Sequence, residues 1–231
     1  MEISPNAGKN LEIIVDGISY ARYPIRTHVV TVEDTMEKIL DQYVRSLIIP
    51  GDMLFISERI CAISQGRAFP IAEMKPSWLA RMLSKYVLKT KHGIGIGSPY
   101  TMELAIREAG TFRILFAAAC SAITKPFGLR GVFYHVVGNN INAIDGPCDN
   151  TLPPYNGYAK LGPKDPEKLA QKLSGHIGIP VVIIDANDLG VNILGQSTGT
   201  PAVETCKSIF KDNPLGQSRE QTPIALIRKA V

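Results

Sequence analysis

The sequence predicts a mixed α/β (α+β) protein, a β-sheet with flanking helices, and three observations carry that prediction. Short apolar or alternating runs of strand length recur along the whole chain. Segments with apolar residues three and four apart alternate with them. Nothing repeats at a fixed period, so all-α, all-β and solenoid architectures are disfavoured.

The first element is a hairpin: residues 11–15 and 18–20 flank Asp16-Gly17, two residues that tolerate positive φ. Met36, Ile39, Leu40, Tyr43, Val44, Leu47 and Ile48 then fall on one helical face. Thr31 and Asp34 are spaced as a capping box ahead of that helix, and Pro50-Gly51 stops it. Residues 53–57 (MLFIS) read as a short buried strand, and a helix follows before Gly66-Arg67. Amphipathic helices are expected over 77–88 and 100–109. The Ala-rich run 114–123 (ILFAAACSAI) reads as a tightly packed core helix, far short of the roughly 20 residues of a membrane span.

Strands are expected over 131–137 and 179–185. A helix is opened by Asp165 as N-cap with Pro166 at its first position, and the last strand covers 224–227. Residues 138–163, rich in Pro, Asn and Gly, form a loop too long for a plain connection, and such loops commonly carry function.

A chain of 231 residues accommodates one large domain or two small ones. Lys and Arg total 25 against 21 Asp and Glu, a net charge of +4 with no block of like sign, which gives nucleic acid no electrostatic footprint. A single-strand-binding module would interleave aromatics with Lys and Arg along strands; here the aromatics sit mostly inside apolar runs. The start MEISPNAGKN has neither a basic n-region nor an apolar h-region, so a cytoplasmic location is expected. Cys61, Cys120, Cys148 and Cys206 lie tens of residues apart with no C-x-x-C pair, and are expected to be free thiols.

Several chemistries lack their sequence signatures. The run Gly93-Ile94-Gly95-Ile96-Gly97 misses the G-x-G-x-x-G spacing, and the G-x-x-x-x-G-K-[ST] pattern is absent. His28, His92, His135 and His176 are isolated in sequence, which gives no support to a hydrolase triad or a zinc site, and His135 within VFYHVV reads as a core histidine. Carboxylates directly after apolar runs are more informative, because hard cations need oxygens converging at a strand end. Asp145 lies in residues 139–150 (NNINAIDGPCDN), and Asp185 ends IGIPVVIID ahead of Ala186-Asn187-Asp188. The plain alternative for each is a turn residue capping its own backbone. Residues 212–223 (DNPLGQSREQTP) form a polar loop feeding a strand, equally readable as a surface hairpin loop.

Taken in order, residues 23–28 (YPIRTH), 51–67 (GDMLFISERICAISQGR), 143–147 (AIDGP), 164–173 (KDPEKLAQKL), 181–190 (VVIIDANDLG) and 216–223 (GQSREQTP) resemble the coenzyme F(420):L-glutamate ligase (γ-glutamyl ligase) family. The resemblance implies one domain over residues 1–231, open to division into two interleaved subdomains, and an intertwined homodimer. It implies ligation driven by GTP with Mg2+ or Mn2+, with K+ as a further candidate cation. A substrate carboxylate would take the γ-phosphoryl group and the amine of L-glutamate would attack the resulting acyl phosphate, on small-molecule substrates, with no nucleic acid or membrane partner. Carried over residue by residue, Asp145 and Asp185 match metal-holding aspartates, Gln217 matches a further metal ligand, and Asp188 or Asn187 offers an additional oxygen. Pro24, Ile25 and Arg26 match a strip lining the nucleotide, and Glu58 and Arg59 match a polar pair contacting it. Asn150 matches a nucleotide-contacting asparagine, and Gly216, Gln217 and Ser218 open the late nucleotide loop. No catalytic residue is assigned.

The chain also departs from the family. Ile63 stands where the pattern S-K-A-E-G-R has Lys, Ala186 stands where the family has Thr after the aspartate, and residues 139–158 differ from A-N-A-G-[VI]-D-x-S-N. The last difference implies an acceptor other than the family's, while the resemblance as a whole implies the deazaflavin coenzyme F(420)-0 or a similar carboxylate. The alternatives are a ligase acting on another acceptor, such as a folate, and a nucleotide-binding homologue without turnover.

Overall fold

The fold was taken from a computed structural model, which describes residues 4–87, 95–129, 131–138, 141–149, 151–187, 190–216 and 219–229. The chain divides into two compact units: residues 1–66 with 163–231, and residues 67–162.

The first unit is built on a six-stranded mixed sheet. Its strands are β1 (Glu12–Val15), β2 (Ile18–Ile25), β3 (Met53–Ser57), β6 (Val181–Asn187), β7 (Gly190–Gln196) and β8 (Ile224–Lys229), in the order β1-β2-β8-β3-β6-β7. The pair β3 and β6 runs parallel and the other neighbours antiparallel. The hairpin β1–β2 turns at Asp16-Gly17, with φ of 51° and 77°, as the sequence predicts. A transverse row of β-branched residues, Ile25, Ile224, Ile56 and Ile183, fixes the register across four strands. All but Ile25 of these are wholly buried, and central strands buried on both faces favour such residues.

Helices α1 (Met36–Tyr43), α2 (Glu58–Ser64), α7 (Pro166–Ile177) and α8 (Val203–Ile209) flank this sheet. The cap of α1 differs from the sequence reading: Thr35, not Thr31, accepts the N–H of Lys38. Asp34 instead receives the N–H of Thr31 at 2.7 Å in the turn ahead of the helix. Regular α-helix ends at Tyr43, and residues 45–47 tighten into a 3-10 turn. Helix α7 opens at Asp165-Pro166 as predicted and lies against β7 at Gly195. A β-carbon there would stand 2.4 Å from the Pro166 carbonyl group, so only glycine fits.

Beside this packing, β2 carries a fully buried cation. Arg22 grips the Asp212 carboxylate with both terminal nitrogens, one of them at 3.0 Å, and donates to the carbonyls of Ile209 (3.0 Å) and Asn10 (2.7 Å). It thereby ties the N-terminal segment and the residues after α8 to the sheet.

The second unit holds a two-stranded antiparallel sheet of β4 (Ala68–Pro70) and β5 (Tyr158–Lys160), with α3 (Trp78–Leu83), α4 (Pro99–Ala109), α5 (Thr111–Thr124) and α6 (Val132–Val137). Its core joins Ala80, Ile96, Met102, Leu104, Ile114, Ala117, Val137, Ile141 and Leu161. Three sequence expectations are corrected here. Residues 132–137 are a helix, not a strand, because Val137 is buried in that core with Phe133 and Val136 packed against it, one helical turn apart. His135 consequently points to solvent instead of lying in the core. Helix α5 is not a tightly packed core helix: only Ile114 and Ala117 are buried, while Phe112, Phe116 and Ile123 are 91%, 65% and 68% exposed, and Phe127 beyond it 78%. The helix expected over 77–88 is shorter, with a 3-10 turn over residues 84–86, and Leu88 lies outside the described residues. So do Gly93 and Ile94 of the glycine-rich run and His92.

Candidate functional site

Strand register brings sequence-distant candidates to one edge of the sheet in the first unit. The parallel pair β3–β6 ends at Ser57 opposite Ile184, so Glu58, Arg59 and Asp185 follow at the same level. Strand β2 ends there as well and β8 begins there, with Ile25 opposite Ile224. The strip Pro24, Ile25 and Arg26 and the loop 216–223 therefore reach the same edge from opposite chain directions. The order across it is β2, β8, β3 and β6, spanning about 14 Å at the usual inter-strand spacing. Carboxyl ends of strands are the habitual ligand edge of open α/β sheets.

Hydrogen bonds beyond the ladder hold this edge together. Ser57 N donates to Pro223 O at 2.8 Å, Thr27 N to Gln221 O at 3.2 Å, and Gln221 Nε2 back to Thr27 O at 2.7 Å. Gln221 holds this clasp with φ at 59°, a left-handed conformation that a non-glycine residue adopts only when its surroundings over-determine it. Behind it, Thr222 Oγ1 donates to Leu215 O, while Asn213 Nδ2 donates to Gly216 O at 2.9 Å. The loop is thus pinned on both sides of its tip. Gln217 and Ser218 lie outside the described residues, as do Asp188 and Asn150.

The side chains at the edge differ in exposure. Pro24 and Ile25 are buried, Arg26 is exposed, Glu58 is buried at the start of α2, and Arg59 and Asp185 are half-buried. Just before Asp185, β7 carries one extra residue, Leu194, between the pairs Ile183–Gly195 and Ile184–Ile193. Such a bulge bends the ladder and re-aims the residues that follow it. Ile63 is buried on α2 and presents no cation where the family pattern has Lys.

Next to the strip, His28 has neighbours that sequence spacing did not reveal. Its Nδ1 lies 2.9 Å from the Tyr43 hydroxyl and its Nε2 3.0 Å from Asp34 Oδ2. Burial pushes the Asp34 carboxyl up, but bonds from Thr31 and His28 outweigh it and hold the group below the usual Asp value. His176 likewise meets Asp41 at 2.9 Å. The thiols offer no nucleophile at this edge. Burial first, then the Glu58 charge, pushes Cys61 far up, burial pushes Cys206 up to about 11, and thiolate is the reactive form. All four cysteines are free, as expected.

Asp145 belongs to the second unit. Its backbone pairs with Lys160 through both N–H groups, at 3.1 and 2.9 Å, and its carboxylate Oδ2 stands 3.3 Å from Lys160 Nζ. Asp145 thus forms an ion pair with a buried lysine. Sequence spacing carried no sign of that partner, because Asp145 and Lys160 are joined across the loop 146–157.

Among the described residues no three His, Cys, Asp or Glu side chains converge as a metal cluster, and no helix is long and apolar enough to cross a membrane. Mg2+ is commonly held by one or two carboxylates together with substrate phosphates, so partly exposed Asp145 and Asp185 have the oxygen chemistry that this ion needs.

Among curated proteins none matches the chain. The sequence profile of the family described as F420-0:Gamma-glutamyl ligase matches residues 24–229, nearly the full length. The match takes in the strip at the end of β2, both aspartates and the loop before β8. The chain belongs to the F420-0:gamma-glutamyl ligase family.

Proposed function

We propose that the protein is a cytoplasmic GTP- and divalent-metal-dependent ligase that joins L-glutamate to a carboxylate of coenzyme F(420)-0 or a closely similar acceptor. The observation that carries this reading is the shared sheet edge. Strip 24–26, the pair Glu58 and Arg59, Asp185 and the loop 216–223 come from four chain segments and reach one row.

In this reading an acceptor carboxylate oxygen bonds to the γ-phosphorus as the bond to the β-phosphate oxygen breaks and GDP leaves. The glutamate amine then attacks the acyl carbon, loses its proton and expels phosphate. Phosphoryl transfer asks the protein chiefly for positioning and charge neutralisation. Pro24 and Ile25 give the nucleotide an apolar floor, and the guanidiniums of Arg26 and Arg59 face its phosphates. Glu58 is a buried acceptor for its polar groups, and Asn150, Gly216, Gln217 and Ser218 contact it further. Asp185, Asp188 and Gln217 would hold Mg2+ or Mn2+, and Asp145 would hold such an ion through its own carboxylate; when bound, the ion would neutralise charge on the phosphate oxygens, and K+ is a further candidate.

Phosphate release from GTP, compared with ATP, in Mg2+ or Mn2+ with L-glutamate and each of coenzyme F(420)-0 and folate tests the proposal. Release only when acceptor and glutamate are both present supports it. Silence with every acceptor together with absent nucleotide binding refutes it. Buried Ile63 in place of Lys favours one second reading, a homologue that binds nucleotide without turnover; tight GTP binding with no release selects it.

The exposed stripe of α5 supports the homodimer. Phe112, Phe116, Ile123 and Phe127 leave about 600 Å² of apolar surface uncovered, at roughly 200 Å² per large side chain. That approaches the ~800 Å² per partner of a standard interface. Sedimentation velocity is expected to give twice the chain mass, and Phe112→Glu with Phe116→Glu the single-chain mass.

A further inference from the structure

Lys160 is a buried cation that the sequence did not single out. It ends β5, flanked by Ala68 of β4 on one side and by Asp145 on the other, and is 4% exposed. A buried ammonium is costly unless oxygens surround it. Two of its partners come from one short turn: the carbonyl of Ala143, at 3.1 Å, and the carboxylate of Asp145, at 3.3 Å. Ala143 closes a 3-10 turn over Ile141–Ala143, whose last carbonyls have no partner within the turn. A backbone carbonyl and a carboxylate two residues apart, aimed at one point, are the oxygen set by which loops hold hard cations. Here the chain's own ammonium fills that point. Asp145 itself stays half exposed, its side chain at 46%, against a lysine that is buried.

We propose that Lys160 is the built-in cation of the Asp145 turn and the positioning residue for that carboxylate: its ammonium does for this turn what a bound monovalent cation would do. The role in positioning rests on the reading of Asp145 as a metal-holding residue; the role as built-in cation does not. Partners behind a metal-holding side chain typically change metal affinity about 10- to 100-fold when removed. Arg is expected to replace Lys160 in part, since it keeps the charge, whereas Met keeps the stem and loses it.

The experiment uses the full chain with Lys160→Arg, Lys160→Met and Lys160→Ala, read first by thermal unfolding without nucleotide. Lys160→Met and Lys160→Ala are expected to melt about 5–10 °C lower, and Lys160→Arg about half as far. Propylammonium chloride is expected to restore at least half of the Lys160→Ala loss, and tetramethylammonium chloride at the same ionic strength, about 0.1 M, to restore none. Equal recovery in both salts, or wild-type melting of Lys160→Met, overturns the built-in cation. In the second readout, the Mn2+ concentration for half-maximal phosphate release is expected to rise about 10-fold in Lys160→Ala, to fall back with propylammonium and to change little in Lys160→Arg. An unchanged Mn2+ requirement in Lys160→Ala overturns the positioning role. Failure of every protein, wild type included, to release phosphate sinks the ligase reading and leaves the melting result to decide the cation.

Discussion

Asp185→Asn is expected to lower glutamate ligation by about 100-fold or more, the scale of losing one group that neutralises charge in the transition state. The melting temperature is expected to stay within about 3 °C of the wild-type value, because a half-buried polar side chain near a strand end costs little when its shape is kept. The conservative amide is preferred to alanine, since it retains the side chain's size beside the bulge at Leu194. Steady-state ligation with excess GTP and Mn2+, beside differential scanning fluorimetry, separates the two effects. Activity retained within about threefold would remove Asp185 from the metal-holding set. For Asp145 the amide is the better substitution for another reason. Alanine would take from the buried Lys160 ammonium an oxygen that the amide keeps, and so confound loss of activity with loss of fold.

The largest stability effect is expected from Arg22→Leu, about 3–5 kcal/mol in chemical denaturation, the usual cost of removing one partner of a buried ion pair. That is a large share of the roughly 5–15 kcal/mol that keeps a protein folded. Leucine leaves the carbonyls of Ile209 and Asn10 without the donor that joins them to the sheet. Burial alone would raise the Asp212 carboxyl, but the hydrogen bonds and charge of Arg22 outweigh it and hold the group below the usual Asp value. A carboxyl lowered on folding contributes stability that is present above its unfolded pKa, near 3.9. That contribution is lost as pH falls through the lower folded value. Wild-type stability should therefore drop below about pH 4 by an increment that Arg22→Leu lacks. Equal pH slopes for both proteins in that window would show that the pair is not coupled to folding.

Much of the sheet was legible because its determinants are local. Asp16-Gly17 fixes the first hairpin, short apolar runs mark β3, β6 and β8, and Asp165-Pro166 opens α7. The run VFYHVV was misread because five β-branched and aromatic residues around His135 carry strand propensity but no periodicity. Packing of Phe133, Val136 and Val137 one turn apart then decides for helix. Helix α8 was missed although Cys206, Ile209 and Phe210 carry a 3–4 spacing that could have found it. Strand β7 was missed because glycines and a bulge interrupt its alternation. The pair β4–β5 has only three residues in each strand, and most of the second unit lies between them in the chain.

At the candidate site, Asp185 could be named from its place after an apolar run, and Arg26 and Glu58 from the family resemblance, yet nothing in the sequence placed them in one row. That follows from the parallel pairing of β3 with β6 and from β8 entering between β2 and β3. The Thr27–Gln221 clasp and the Lys160–Asp145 pair were illegible for the same reason: 194 residues separate the first pair, and the long loop before Lys160 separates the second.

The most direct test of ligation at this sheet edge is the stoichiometry of GDP formed to amide product formed, with coenzyme F(420)-0, L-glutamate, GTP and Mn2+ supplied together. The account predicts equal amounts of the two, formed only when all four are present and lost in Asp185→Asn. GDP formation that ignores acceptor and glutamate, or GTP binding with neither product, would contradict it.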